Sequence, residues 1–206
     1  MGSLDEAVAL EAGGPGRWQA FADPDHESLN GMFGGWTSAV SLAAVMASAD
    51  GALRPSALTI NYLAAVAPEA RPIIHVEHLG GSRSIDHWRA DLREARSGDL
   101  QASASVVLTA RRPTEAHDQW TMPEALEPHT LDEFHAPGTQ GQQTDIRRLS
   151  GTEATYGCGD TRTSAWIRMA SERRLDHIQL AYLADQYAPR SFFWGVGLRP
   201  SATITM

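Results

Sequence analysis

Apolar residues recur at helical spacing in the stretch from Trp36 to Ala49. The residues that share this face are three or four positions apart: Trp36, Val40, Ala43, Ala44 and Ala47. This spacing predicts a helix, and Gly51 and Pro55 end it. So many alanines on one face indicate that other backbone approaches the helix closely, as it would if a sheet wrapped around it.

The period of the pattern changes to two from Ser56 onward. Alternation of apolar and polar residues predicts four strands, and a shorter strand is predicted before the helix at 16–21. The four strands cover 56–66, 73–79, 86–95 and 101–110, with breaks at Gly80-Gly81-Ser82 and Ser97-Gly98-Asp99. Nothing helical lies between these strands to serve as a crossover, so the pattern favours an antiparallel meander over a doubly wound parallel sheet.

The chain divides into three regions by composition. Residues 1–113 form the first unit, and residues 114–145 are rich in Pro, His, Glu and Gln and are interpreted as a linker. Residues 146–206 form a second unit, with a strand at 163–169, a helix at 175–187 and a strand from Ser201. The order strand, helix, strand repeats that of the first unit, so we expect a weak internal duplication whose second copy is incomplete.

Charge and cysteine content exclude several functions. The formal net charge is −8, which argues against nucleic acid as a partner, because phosphate binding needs clustered basic residues. All 17 basic residues are arginine, which excludes lysine Schiff-base chemistry and a P-loop lysine. The single cysteine, Cys158, excludes an intrachain disulfide. With no signal peptide and no apolar run long enough to span a bilayer, we expect a cytoplasmic protein.

One carboxylate stands out in the second unit. Asp185 ends the apolar stretch that begins at Leu180, and a strand-like segment carrying Thr203 follows. An acid on an apolar face must be paired or hydrated to offset its desolvation, which makes Asp185 a candidate for chemistry. The alternative is an exposed residue near the end of a helix.

Other catalytic arrangements have little support. The chain has no Gly-x-Ser-x-Gly elbow, and Ser38 and Ser41 have no partner base at a recognised spacing. Cys158 lies in a predicted turn without a partner base. The histidines at 75, 78, 129 and 135 fit no zinc spacing, so we predict no metal site. We also predict no cofactor. The aromatic cluster at 192–194 is interpreted as core or interface packing, or as the lining of an apolar tunnel.

Three segments together resemble the double-hotdog acyl-CoA thioesterases of the TesB-like (thioesterase II) family. These are the glycine-rich entry to the first helix at 30–36, the segment at 76–84, in which Ser82 replaces a glycine of the family, and the stretch Leu180–Asp185 with Ser201–Ile204. The resemblance covers almost the whole chain. It implies an α+β hotdog fold, an antiparallel sheet wrapped around a long central helix, present in two copies.

The resemblance also implies an activity and a set of site residues. The family hydrolyses acyl-CoA thioesters without metal or covalent intermediate, using an aspartate, a threonine and a glutamine around a water molecule. Asp185 matches the aspartate and Thr203 the threonine, while the glutamine belongs to a late strand that this chain does not contain. Gly34 and Gly35 are candidates for binding an anion at the helix N-terminus, or for close packing alone.

Arg83 and Ser84, in the segment at 76–84, are the remaining candidate substrate-binding residues. Arg83 could meet the CoA phosphates, or it could be a solvated arginine at a bend. Two other functions stay open: a hotdog hydratase, disfavoured because the first helix has no histidine, and a non-catalytic acyl-CoA-binding or structural protein. An unpaired sheet edge at the second unit leads us to expect a homo-oligomer.

Overall fold

Most of the strands form one antiparallel sheet. The computed structural model describes residues 3–136, 138–150, 161–187 and 203–206. The sheet has six strands, which are β1 (Leu10–Ala12), β2 (Arg17–Ala20), β5 (Arg54–Tyr62), β6 (Ile73–Ser82), β7 (Ile85–Arg93) and β8 (Leu100–Thr109). They follow one another across the sheet in the order β1-β2-β6-β7-β8-β5. The four strands predicted for the meander and the short strand before the helix are therefore confirmed.

The long predicted helix lies against this sheet. It is α2, Gly34–Ser48, and it packs on β5, β6, β7 and β8. Eleven of its fifteen residues are buried, so the helix is enclosed rather than laid on a surface. Its small side chains allow the sheet to approach, and the inward positions of the strands, among them Ala90, Leu92 and Ala104, complete the core. A short helix, α1 (Leu4–Ala7), and a two-residue ladder, β3 (Glu27–Ser28) with β4 (Gly31–Met32), flank α2.

The second half of the chain adds a smaller sheet and a helix. Three antiparallel strands form this sheet in the order β11-β10-β9. They are β9 (Glu133–Phe134), β10 (Thr144–Ser150) and β11 (Ser164–Met169). Helix α3, His177–Leu183, packs on α2, so the two helices lie together inside the molecule. No helix among the described residues has the length and apolar character needed to cross a bilayer.

Two local predictions are wrong, those of a break at 80–82 and of the bounds of the second helix. The predicted break at Gly80-Gly81-Ser82 lies within β6, which continues to Ser82 because a bulge near His78 absorbs the irregularity. The predicted linker, which stays a prediction, contains short 3-10 helices at Pro128–Thr130 and Thr139–Gln143 and the strand β9 between them. Helix α3 is also shorter than the predicted 175–187, because Asp176 caps its N-terminus and α3 ends at Leu183.

The last four residues extend the large sheet. The N–H groups of Ile60 and Tyr62 donate to the carbonyls of Met206 and Ile204, at 2.9 and 3.0 Å, and Met206 N–H returns a bond to Ile60. Thr205 pairs with Asn61 in an antiparallel bridge. The segment therefore lies along β5, which brings Thr203 to the end of that strand where Tyr62 lies.

Candidate active site

Asp185 and Thr203 are in direct contact. The Thr203 Oγ1 hydroxyl donates a hydrogen bond of 2.8 Å to Asp185 Oδ1. Asp185 follows α3 and is partly buried, whereas Thr203 is exposed. The alternative interpretation of Asp185 as an exposed helix residue is therefore wrong, since the residue lies beyond the end of the helix and its carboxylate is bonded.

The N-terminus of α2 meets the same carboxylate. The Gly35 N–H donates a hydrogen bond to Asp185. The N-cap residue of α2, Phe33, offers no side-chain cap, and the first turn of the helix contains no acidic residue. Asp185 therefore supplies from another part of the chain the negative charge that a helix N-terminus favours.

The two glycines at the start of α2 make room for this contact. A Cβ atom at Gly34 would overlap the Asp185 carboxylate, and one at Gly35 would overlap the Tyr182 carbonyl and the Phe33 ring. The close approach that requires glycine is thus to α3 and the turn after it. Helix-to-strand packing, the simpler interpretation of these glycines, describes only the Tyr62 ring of β5, which a Cβ at Gly34 would meet at 3.4 Å.

Burial determines the protonation behaviour of Asp185. Burial raises the pKa of the Asp185 carboxyl above its usual range, and the hydrogen bonds from Thr203 and the Gly35 N–H act in the opposite direction. A carboxylate whose pKa is raised is a stronger base toward water than an ordinary surface aspartate. The site therefore combines a partly buried base with a hydroxyl that can orient a water molecule beside it.

Two further residues of the site were not found from the sequence. The Tyr62 hydroxyl donates to the Gly34 carbonyl at 3.0 Å, and the Ser38 hydroxyl bonds to the same carbonyl at 3.1 Å. The two hydroxyl oxygens are 2.6 Å apart. Burial raises the pKa of the Tyr62 phenol; the Ser38 hydrogen bond opposes this rise, and the charge of Asp185 adds to it. Tyr62 alternates with its neighbours like any strand residue, and so gave no signal in the sequence.

A buried histidine, His26, contacts α3 through Tyr182. His26 is fully buried, and its Nδ1 is 2.9 Å from the hydroxyl of Tyr182, whose ring also packs edge-on against Phe33. The other ring nitrogen of His26, Nε2, has no hydrogen-bond partner among the described residues. Burial lowers the pKa of His26, while the charges of Asp23 and Asp25 act in the opposite direction. His26 therefore contacts the Tyr182 hydroxyl of α3 in its neutral form.

Gln186 follows Asp185 and is also buried. Neither its amide oxygen nor its amide nitrogen has a hydrogen-bond partner in the described part of the chain. Leaving buried polar atoms unpaired costs about 1–3 kcal/mol. Both a donor and an acceptor are therefore available next in sequence to the candidate base.

Arg83 and Ser84 lie far from Asp185 within one chain. They form the two-residue turn between β6 and β7, and Ile85 after them pairs with Thr109. Thr109 also pairs with Arg54, at the opposite end of β5 from Tyr62. Eight residues of strand correspond to roughly 26 Å, so the structure does not bring this turn together with Asp185.

Two other candidates from the sequence lie outside the described residues. These are Cys158 and the aromatic cluster at 192–194. The part of the chain that the structure describes contains no group of three His, Cys, Asp or Glu side chains placed to hold a metal ion.

Comparison with solved structures defines the class of fold. A hot dog fold protein of unknown function from Alicyclobacillus acidocaldarius is 28% identical, with a TM-score of 0.87, and the alignment covers 98% of this chain and 75% of that one. A tesB protein from Mycobacterium avium subspecies paratuberculosis is 20% identical, with a TM-score of 0.71 and coverage of 88% and 68%. The acyl-CoA thioesterase II TesB2 from Mycobacterium marinum is 19% identical, with a TM-score of 0.68 and coverage of 89% and 68%. The predicted hotdog fold is confirmed.

The family comparison is more specific for the first half of the chain. Residues 22–111 match the family model described as the acyl-CoA thioesterase N-terminal domain. Together with the structures above, this match confirms the resemblance to TesB-like thioesterases that the sequence predicted. A search of the curated proteins found no match.

Proposed function

We propose that this protein hydrolyses acyl-CoA thioesters, with Asp185 as the general base and Thr203 as the group that orients the attacking water. One observation carries the proposal. A partly buried carboxylate accepts hydrogen bonds from the Thr203 hydroxyl and from the Gly35 N–H at the start of a buried helix. The match of residues 22–111 to the acyl-CoA thioesterase N-terminal domain supports the choice of substrate.

The proposed reaction uses these two residues, the start of α2 and a water molecule. Asp185 takes a proton as the water oxygen attacks the carbonyl carbon of the thioester, and the carbonyl oxygen becomes an oxyanion. The positive end of α2 favours this negative charge, which is the role we propose for the backbone at Gly34, while the Gly35 N–H stays bonded to Asp185. When the intermediate collapses, the C–S bond breaks, CoA leaves as a thiolate, and the proton on Asp185 passes to it or to solvent.

The nucleotide end of CoA is assigned to Arg83 and Ser84. An arginine at an exposed turn can bind phosphate by charge-assisted hydrogen bonds. This turn lies roughly 26 Å along the sheet from the Asp185 site of its own chain. We therefore propose that the turn next to that site belongs to a second copy of the chain. We therefore propose that the protein forms a homo-oligomer, and we expect the protein to be cytoplasmic. Light scattering that finds a stable monomer at micromolar concentration would exclude the oligomer.

Exposed apolar side chains support association. Leu63, Leu180 and Ile204 are each at least half exposed, and Ile204 lies on the segment that pairs with β5. Exposed apolar side chains beside a sheet edge are typical of a surface that another chain covers.

Thiol release distinguishes the enzyme from a non-catalytic acyl-CoA-binding protein. The 206-residue chain is incubated with acyl-CoA of several chain lengths while free thiol is measured, and binding of a non-hydrolysable thioether analogue is measured by calorimetry. We expect catalytic thiol release for at least one chain length. Binding of the analogue without release at any chain length would establish the non-catalytic alternative instead.

A further inference from the structure

One peptide unit of α2 is held from both of its sides. Its carbonyl, that of Gly34, lies within hydrogen-bond distance of the hydroxyls of Tyr62 and Ser38, at 3.0 and 3.1 Å, and these two hydroxyls also bond to each other at 2.6 Å. Its N–H, that of Gly35, donates to the Asp185 carboxylate. The two side-chain hydroxyls and the candidate base therefore bind opposite ends of the same planar amide group.

This arrangement couples the hydrogen bonds at the Gly34 carbonyl to the hydrogen bond that the Gly35 N–H donates. Hydrogen bonds to an amide carbonyl polarise the amide, which makes its N–H a better donor in a low-dielectric interior. A planar peptide also turns as one body, so fixing the carbonyl fixes the direction of the N–H. Because Phe33 gives α2 no side-chain cap, the peptide lacks the usual means of holding the first turn.

Tyr62 contacts the other half of the site through its backbone. Its N–H donates to the carbonyl of Ile204 at 3.0 Å, one residue from Thr203. Its side chain meanwhile reaches the Gly34 carbonyl. A single residue at the end of β5 thus contacts both segments that hold Asp185: the start of α2 and the segment bearing Thr203.

We propose that Tyr62 is a positioning residue, which with Ser38 acts through the Gly34–Gly35 peptide to hold the Asp185 carboxylate in place for attack on the thioester. Tyr62 need not touch the substrate for this role. It is half-buried, and its hydroxyl is hydrogen-bonded to the Gly34 carbonyl and to Ser38. The kinetic part of this inference rests on the proposed function, whereas the link from Tyr62 to Asp185 does not.

The surroundings of Asp185 make this link measurable. Helix α2 contains no charged side chain, and residues 203–206 contain none either. Among the described groups, the Tyr62 phenol is the titratable neighbour that senses the Asp185 charge. With the burial of Asp185 unchanged, its titration should therefore respond to the hydrogen bonds that it accepts.

The test compares Tyr62→Phe and Ser38→Ala with wild type and with Ser48→Ala. Ser48 is a matched control, since its hydroxyl bonds back to the Ala44 carbonyl as Ser38 bonds to Gly34, but at the other end of α2. The titration of Asp185 is followed by carbon NMR on protein labelled at the aspartate carboxyl, and its signal is assigned by its loss in Asp185→Asn.

We expect Asp185 to titrate at a higher pH in Tyr62→Phe and in Ser38→Ala, but not in Ser48→Ala. We also expect kcat to fall about 2- to 10-fold with KM unchanged, the worth of one hydrogen bond. The double variant should lose less than the product of the single effects, since both hydroxyls act on one carbonyl.

An unchanged Asp185 titration in Tyr62→Phe overturns the inference, and if that variant does not fold, Ser38→Ala against Ser48→Ala decides in the same way. If wild type releases no thiol, the proposed function fails, but the titration still tests whether Tyr62 and Ser38 act on Asp185. A fall in kcat without a change in titration would also contradict the inference, because Tyr62 would then act by another route.

Discussion

The Thr203 hydroxyl donates a hydrogen bond of 2.8 Å to the Asp185 carboxylate, although 18 positions separate the two residues in the chain. Two separate packing events produce this contact. Helix α3 packs on α2, which places Asp185 at the N-terminus of α2. The segment 203–206 pairs with β5, which places Thr203 beside it. The site therefore depends on the large sheet and on both helices.

Thr203→Val should reduce turnover less than loss of the base would. The valine keeps the shape of the side chain but removes the hydroxyl that bonds to Asp185. A hydrogen bond to a charged group is worth about 1.5–3 kcal/mol, which corresponds to a decrease of about 10- to 100-fold in kcat. Because this bond lowers the pKa of Asp185, the acidic limb of the rate profile should move to higher pH.

Thr203→Ser is the matched control for that variant, since it keeps the hydroxyl and removes only a methyl group. Activity close to wild type in Thr203→Ser, with the loss confined to Thr203→Val, is the expected result of rate measurements across pH. Equal losses in the two variants would assign the effect to packing.

Gly35→Ala should destabilise the protein, even though alanine favours a helix more than glycine does. The added Cβ would overlap the Tyr182 carbonyl and the Phe33 ring, so α3 must shift away from α2. Overpacking of this kind costs about 1–3 kcal/mol and should lower the melting temperature by several degrees.

Gly13→Ala is the control for thermal melts. The nearest atom to a Cβ at Gly13 belongs to the flexible side chain of Arg17, so we expect little change. A melting temperature for Gly35→Ala that equals wild type would contradict the close packing of α2 and α3 at this point.

The buried His26 should make stability depend on pH. Burial lowers the pKa of His26 in the folded state, whereas in the unfolded chain it titrates near about 6.5. Below that pH the unfolded chain binds a proton that the folded protein does not, so the free energy of unfolding should decrease as the pH falls. Thermal melts between pH 8 and pH 5 measure this dependence.

His26→Gln removes the titratable ring and keeps a polar side chain near Tyr182. We expect a shallower decrease of melting temperature below about pH 6.5 in this variant than in wild type. Parallel curves for the two proteins would show that His26 is not the group responsible.

Much of the fold could be predicted from the sequence, because α2 and the four long strands each carry a clear period. The strand β10 has no such alternation: its buried residues include the consecutive Thr144 and Asp145, and Asp145 is paired with Arg147 and Arg168. The start of α3 had a usable signal, since Asp176 followed by Gln179 has the spacing of an N-terminal cap.

The site could be predicted only in part. Asp185 stood out as an acid on an apolar stretch, the resemblance matched it and Thr203 to an aspartate and a threonine of the family, and the structure places the two in contact. Tyr62 and Ser38 could not be found, because their role arises from tertiary contacts with one carbonyl rather than from a pattern along the chain. Gly34 and Gly35 indicated where another part of the chain comes close to α2. They did not indicate that Asp185 and Tyr182 are the residues that do so.

The free energy of unfolding should not decrease in Asp185→Asn. Since burial raises the pKa of Asp185, the folded state disfavours its charged form relative to the unfolded chain. Stability is therefore lost as the pH rises through the range between the unfolded and folded pKa values, and the neutral amide avoids this loss. We expect a melting temperature at neutral pH equal to or above that of wild type.

The measurement that tests the central claim most directly is thiol release from acyl-CoA by Asp185→Asn, beside wild type and Asp176→Asn. Asp176 caps the start of the same helix, and asparagine can replace it as a cap, so this control should retain activity. Loss of a general base typically lowers the rate by about 10²–10⁴-fold, and we expect a loss of that size in Asp185→Asn with its melting temperature retained. Turnover by Asp185→Asn equal to that of wild type would contradict the assignment of Asp185 as the base.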